Sequence, residues 1–171
     1  VRDLVNQRDI LSFVSGGVDS SFVTCLLSQI EGIGNVHAVY IEALMRKGEL
    51  DEVKHALKKA GVKNLKIVDA KQRFIEALKD EWEPETKRKI VGNLFGDLQT
   101  EACADLNLDV TTTMLAQGTL YTDLIESGKG VGNKAHNIKS HHNVGCKFIE
   151  DLKERGQVVE PNQWIFKDEV R

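Results

Sequence analysis

The sequence has little cysteine, no long apolar run and almost no net charge, and each shortage closes off a class of function. Its three cysteines, Cys25, Cys103 and Cys146, lie far apart and form no C-x-x-C pair. Neither a zinc cluster nor a disulfide framework is therefore expected, and a reducing, cytoplasmic setting is the default. No stretch approaches the length of a membrane span, and no charged-then-apolar N-terminal signal is present. A formal net charge of −3 supplies no overall field for nucleic acid, so any anion site must be local. Internal repeats and low-complexity stretches are lacking as well. What remains is an ordinary globular composition, 41% apolar and 29% charged over 171 residues, enough for one domain with a real core. The chain starts at Val1 without a methionine and stops at Arg171 inside a helical pattern, which reads as a piece of something longer.

The apolar periodicity alternates between strand and helix. Ile10–Val14 is a short apolar run ending in a glycine pair, the profile of a buried strand. Ser20–Ile30 carries Phe22, Val23, Leu26, Leu27 and Ile30 at helical spacing. Val36–Ile41 and Leu65–Val68 read as strands, and Glu49–Ala60 and Gln72–Leu78 as helices. Lys79–Lys89 is almost wholly polar with Pro84 inside it, which predicts an exposed, mobile loop. Ile90–Leu106 is expected to be helical, and Val110–Ala116 to be a fourth strand. Gln117–Asn133 reads as loop, His136–Lys139 as a short strand, Lys147–Arg155 as a helix and Val158-Val159 as a stub strand, with Trp164 opening a final helix. This alternation predicts an α/β fold: a parallel twisted sheet of about five strands with helices on both faces and right-handed crossovers.

A glycine-rich turn between a buried strand and a helix is where such a sheet binds phosphate, because bare backbone N–H groups and the helix dipole favour an anion. Here the turn reads Ser15-Gly16-Gly17-Val18-Asp19-Ser20-Ser21. The serine hydroxyls can donate to phosphate oxygens, although the Walker lysine is absent. Asp19 would repel a phosphate, and suits a Mg²⁺ ligand that bridges to one. A plain glycine turn with a serine cap would account for two glycines. It does not account for a full run of suitable residues directly after a strand.

The run Ser-Gly-Gly-Val-Asp-Ser resembles the signature of the N-type ATP pyrophosphatases, or PP-loop enzymes, which split ATP between its α- and β-phosphates. Two further segments narrow the resemblance to the GMP synthetase family: Leu115-Ala116-Gln117-Gly118-Thr119-Leu120-Tyr121-Thr122-Asp123-Leu124-Ile125-Glu126-Ser127, and Ile138-Lys139-Ser140-His141-His142-Asn143-Val144-Gly145. Lys87-Arg88-Lys89-Ile90-Val91-Gly92 and Phe166–Arg171 match that family as well, in the same order. The sequence departs from the pattern in three places. Ile41-Glu42-Ala43-Leu44-Met45-Arg46 lacks one residue and a glycine of the usual adenine-side motif, Thr122 replaces a proline, and Cys146 replaces a second glycine. The insertion Phe148–Gly156 resembles the longer form of the family.

The resemblance implies a ligase that forms a C–N bond, with a Rossmann-like fold of the adenine nucleotide alpha hydrolase type. It implies ATP and Mg²⁺ as cofactors and XMP as the nucleotide substrate. Ser15 to Ser21 and Lys139 would bind ATP and pyrophosphate, with Asp19 and Lys139 catalytic and Asp19 the metal ligand. Arg46, Gly118 and Asp123 would contact XMP, and Lys87, Arg88 and Lys89 would belong to a lid. On their own, Lys139 and Arg46 could be surface cations, Asp123 a turn cap and Lys87–Lys89 a solvated charge run. Adjacent His141 and His142 point in different directions on most backbones, which favours an orienting role over a metal site. Residues 1–171 would form the ATP pyrophosphatase domain. A glutamine amidotransferase domain or subunit would supply ammonia, and a homodimer would form through a C-terminal region, neither of which has a counterpart in this sequence. No nucleic-acid or membrane partner is expected. The competing readings are another N-type pyrophosphatase, NAD synthetase-like or tRNA-modifying, and a nucleotide-binding module that no longer catalyses.

Overall fold

In the strand Asp9–Val14 (β1), Ile10 and Leu11 are both fully buried although they face opposite ways. Ile10 packs with Val23 and Leu27, while Leu11 packs with Leu98 and Ala102. Such a strand must be covered on both faces, which is why it reads as a continuous apolar run. In the computed structural model, which describes residues 1–43, 45–46, 48–118, 147–165 and 169, the covers are helices. Arg2–Val5 (α1) and Val18–Ser28 (α2) flank β1 in sequence, followed by Val36–Glu42 (β2), Glu49–Lys59 (α3), Asn64–Asp69 (β3), Lys71–Ala77 (α4) and Pro84–Leu106 (α5). Thr113–Ala116 (β4), Lys147–Glu154 (α6) and Val158–Val159 (β5) complete the described elements.

The five strands are all parallel, in the order β3-β2-β1-β4-β5. Residues of α1, α2 and α3 pack on one face, where Val5, Val23, Leu27, Val53 and Leu57 are buried. Residues of α4, α5 and α6 pack on the other, through Phe74, Leu98, Ala102, Ile149 and Leu152. The expected sheet with helices on both faces is therefore present. From β1 the chain builds outward to β2 and β3, then crosses back through α4 and α5 to lay β4 against the other side of β1. The strand order reverses between β1 and β4, and the crevice beyond their carboxyl ends is the topological switch point where open α/β sheets bind ligands.

Three expectations need correction. The polar segment 79–89 is not a loop throughout, because α5 begins at Pro84. Proline at the first helical position has no N–H to lose and a backbone angle already set for the helix. The Glu83 side chain accepts the Thr86 N–H as the cap, and Glu85 pairs with Arg88 one turn on. Lys87, Arg88 and Lys89 are thus exposed helical residues. The fourth strand starts at Thr113 rather than Val110 because Asp109 closes a turn, its Oδ1 accepting the Thr111 N–H at 2.7 Å and hydroxyl at 2.8 Å. Trp164 lies in an exposed turn and does not open a helix, though Glu169 is helical. The short helix α1 was not legible in the periodicity.

The cap of α5 gives a pH-dependent expectation. The backbone N–H groups of Thr86 and Glu85 hold the Glu83 carboxyl below its ordinary value. A lowered carboxylate stabilises the folded state fully above the ordinary value of about 4.3 and loses that contribution as pH falls through the lower, folded one. Acidification below pH ~4 should therefore fray the first turn of α5, the turn carrying Lys87. Amide exchange at Thr86 should accelerate over that window and not above it; a flat profile would show that Glu83 does not hold the turn.

Candidate functional site

The Ser15–Ser21 run straddles the end of β1 and the first turn of α2. Gly16 has φ 80°, a left-handed angle that side chains other than glycine's resist. Gly17 is the N-cap and contributes no side-chain bond to the helix. The serines instead close the loop on itself. Ser20 Oγ accepts the Ser15 N–H at 3.1 Å and donates to the Gly17 carbonyl at 3.3 Å. With its proton so used, Ser20 Oγ accepts from Ser15 Oγ at 3.1 Å, and Ser15 Oγ accepts the Gly17 N–H at 3.3 Å. Every hydroxyl donor and acceptor in this circuit is consistent. The result is a self-braced turn at the positive end of a helix, a position that favours an anion.

A second layer of hydroxyls fastens that turn from below. Thr24 Oγ1 donates to the Ser20 carbonyl at 2.7 Å, so at its 2.8 Å contact with Ser12 Oγ the serine is the donor. Ser12 and Thr24 are both buried. They tie the middle of β1 to the first turns of α2 directly under Ser20. Thr24→Val keeps the volume, removes both bonds and leaves the Ser12 hydroxyl buried without its partner. We expect a loss of about 1–3 kcal/mol in unfolding free energy, read by chemical denaturation. A change within error would show that the Ser12–Thr24 link is dispensable.

Asp19 sits in the first turn of α2 with its Oδ1 shielded from solvent. Gly118, just past β4, comes in from the other side of the switch point. A Cβ placed on it would lie 3.1 Å from the Asp19 carbonyl carbon and 3.2 Å from the Ser20 nitrogen. Glycine here permits close backbone approach rather than an unusual angle. Gly118 is expected from the resemblance to contact XMP; its described neighbours are the backbone of Asp19 and Ser20. Arg46 follows β2 and exposes 87% of its side chain. Its backbone N–H donates to Glu49 Oε2 at 3.0 Å. A cleft of about 370 Å³ opens beside it, lined by Glu42, Met45, Leu50, Asp51 and Lys71 among others. Within that cleft Lys71 Nζ and Glu42 Oε1 pair at 2.6 Å, and this bond and charge raise the Lys71 pKa.

Ion pairs place the expected lid relative to this edge. Lys66 of β3 meets Asp105 at 2.7 Å, and Arg73, just after β3, forms a two-pronged pair with Glu101 at 2.7 and 2.9 Å. The Phe74 ring packs on Phe95 at 5.0 Å. α5 therefore runs antiparallel to β3, with its N-terminus toward the carboxyl edge of the sheet. At 1.5 Å per residue, Lys87 to Lys89 lie roughly 10 Å beyond Phe95 along the helix. They lie toward the edge of the sheet that carries the Ser15–Ser21 turn.

Lys139 and Asp123 lie outside the described residues, as do His141 and His142 and the expected strand at 136–139. Among the described residues no group of three or more His, Cys, Asp or Glu side chains is arranged to hold a metal. Mg²⁺ does not need one, since it is commonly held by one or two carboxylates together with substrate phosphates. Asp19, a hard oxygen donor in the first turn of α2, fits that donor set. No helix among the described residues is long and apolar enough to cross a membrane. Ser12, Thr24 and Glu49 were missed from sequence. Ser12 and Thr24 left a trace, as polar residues on otherwise apolar faces, but Glu49 left none.

Comparison with known proteins agrees with this fold. A family model described as asparagine synthase matches residues 1–83. Among solved structures, the U34-tRNA thiolase NcsA from Methanococcus maripaludis superposes with TM-score 0.60 at 18% identity, over 99% of this chain and 56% of its own. The NH3-dependent NAD synthetase from Campylobacter jejuni gives 0.56 at 15%, over 99% and 66%. At such identities the likeness shows the fold alone. Closer relatives are the glutamine-hydrolysing GMP synthases of Carboxydothermus hydrogenoformans, 42% identical over 172 residues, and Thermus thermophilus, 44% identical over 171. Each match covers 100% of this chain and 32% of the relative. The motif resemblance therefore holds along the whole sequence: the chain is similar from end to end to glutamine-hydrolysing GMP synthases, and spans about a third of the length of the relatives it matches.

Proposed function

We propose that the chain is the ATP pyrophosphatase domain of a glutamine-hydrolysing GMP synthase, a ligase that forms a C–N bond. The observation that carries this reading is the approach of Gly118 to Asp19 and Ser20 across the switch point. It brings Gly118, which the resemblance assigns to XMP contact, against the Ser15–Ser21 turn that the reading gives to phosphate. In the proposed reaction XMP O2 attacks the α-phosphorus of ATP, the bond to the bridging oxygen breaks, and adenyl-XMP and pyrophosphate form. Ammonia then attacks C2, AMP leaves with the bonding pair, and GMP results. The chain contributes mainly position and charge neutralisation. Turn N–H groups, Ser15, Ser20, Ser21 and Lys139 hold the departing pyrophosphate, and Arg46, Gly118 and Asp123 orient XMP. Lys87, Arg88 and Lys89, exposed on the N-terminal turns of α5, close over the nucleotides. Asp19 would hold Mg²⁺, which when bound offsets phosphate charge and makes pyrophosphate a better leaving group.

Partners follow from the same reading. A glutamine amidotransferase domain or subunit delivers ammonia, and a further C-terminal region forms a homodimer. A cytoplasmic setting belongs to the same reading. ATP–pyrophosphate exchange by the full-length protein is the test. Exchange should depend on XMP. Exchange that ignores XMP and responds to another carbonyl acid would transfer the domain to a different pyrophosphatase, and ATP binding without exchange would make it a binding module.

A further inference from the structure

We propose that Glu49 is a positioning residue, a carboxylate that locks the phosphate turn to the β2–α3 connection so that Gly16 and Arg46 are held by one side chain. The proposal rests on the nucleotide-splitting reading of the turn, and adds a residue to which neither motif nor resemblance assigns a role. Glu49 opens α3, yet its side chain is only 11% exposed while its neighbours Asp51 and Glu52 are open to solvent. One of its oxygens lies over the turn: a Cβ on Gly16 would fall 2.2 Å from Glu49 Oε1 and 3.0 Å from its Cδ. The other accepts the Arg46 N–H at 3.0 Å and approaches Arg46 Nε at 3.5 Å. The carboxylate thus touches two segments that are about thirty residues apart in sequence, and both border the switch-point edge.

Charge explains why this group is suited to hold rather than to bind. A carboxylate against a phosphate turn would repel the ligand if it pointed at it. Glu49 instead stands at the N-terminus of α3 with Arg46 Nε 3.5 Å from its Oε2. Beneath it, Tyr40 is fully buried and its hydroxyl has no hydrogen-bond partner among the described residues. Burial first, then the Glu49 and Glu42 charges, push that phenol's pKa up, so the floor under the carboxylate is neutral. Arg46 is fixed at its backbone and keeps the outer nitrogens of its guanidinium open to substrate.

The test uses the full-length protein with Glu49→Ala and Glu49→Gln. The glutamine amide oxygen can still accept the Arg46 N–H and fills the same space over Gly16, whereas alanine does neither. Glu49→Ala should raise the KM for ATP in pyrophosphate exchange about tenfold or more with kcat within about threefold, as expected when a binding element is loosened. It should also speed amide hydrogen exchange at Gly16 and Gly17 without any nucleotide, and Glu49→Gln should restore both readouts. If Glu49→Ala leaves turn exchange unchanged, the lock does not exist. Were Glu49→Gln as damaging as alanine, the charge would be acting on the ligand and the positioning role would fall. If wild type shows no ATP–pyrophosphate exchange but Glu49→Ala still loosens the turn, the function above fails and the lock stands.

Discussion

Gly16→Ala should lower ATP–pyrophosphate exchange by about 10²-fold, the scale of effect that a misplacement near 1 Å produces in a positioned site. Two penalties combine there. At φ 80° a residue with a Cβ is strained by about 1–2 kcal/mol. The new methyl would also occupy the space of Glu49 Oε1, 2.2 Å away. Glu49 can swing aside, but doing so gives up its bond to the Arg46 N–H, so damage spreads to the β2–α3 connection. Gly61→Ala separates the two penalties. Gly61 has φ 84°, and an added methyl would meet nothing within 4 Å, so it should carry only the strain, about 1–2 kcal/mol in stability. Its KM for ATP should not move. Equal kinetic losses in both variants would mean that the Gly16 effect is general destabilisation and that its contact with Glu49 is irrelevant.

Asp19→Asn should lower exchange by about 10²–10³-fold, comparable with removing one well-placed electrostatic group from a reacting centre. Asparagine keeps the shape of the side chain in the first turn of α2 and removes only its charge. The charge itself adds about 0.3–1 kcal/mol to the helix N-terminus, so thermal stability should scarcely change. Loss of activity with intact folding, together with a higher Mg²⁺ requirement and weaker Mn²⁺ binding in the presence of pyrophosphate, is the expected combination. Wild-type exchange at unchanged Mg²⁺ dependence would show that Asp19 is not the proposed metal ligand.

The sheet was legible because its signals are local. Ile10–Val14 alternates faces within five residues, and the glycines after it can be read only as a turn. The misreading at Pro84 has the opposite origin. A polar stretch with a proline is equally a loop or the start of a helix, and the choice lies in whether Glu83 can reach the Thr86 N–H. Asp109 cut the fourth strand short for the same kind of reason, a side chain competing with the ladder for backbone N–H groups.

By itself the sequence determined the chemical inventory: a hydroxyl-rich glycine turn with one carboxylate, and motifs that resemble those of GMP synthases. Tertiary structure decided which of those groups meet. Laying β4 beside β1 brings Gly118 onto the backbone of Asp19 and Ser20, and packing α3 beside α2 sets Glu49 over Gly16. Those contacts join residues far apart in the chain, and local propensity carries no record of them. They exist because the buried faces of a parallel sheet fit their helices in only one arrangement.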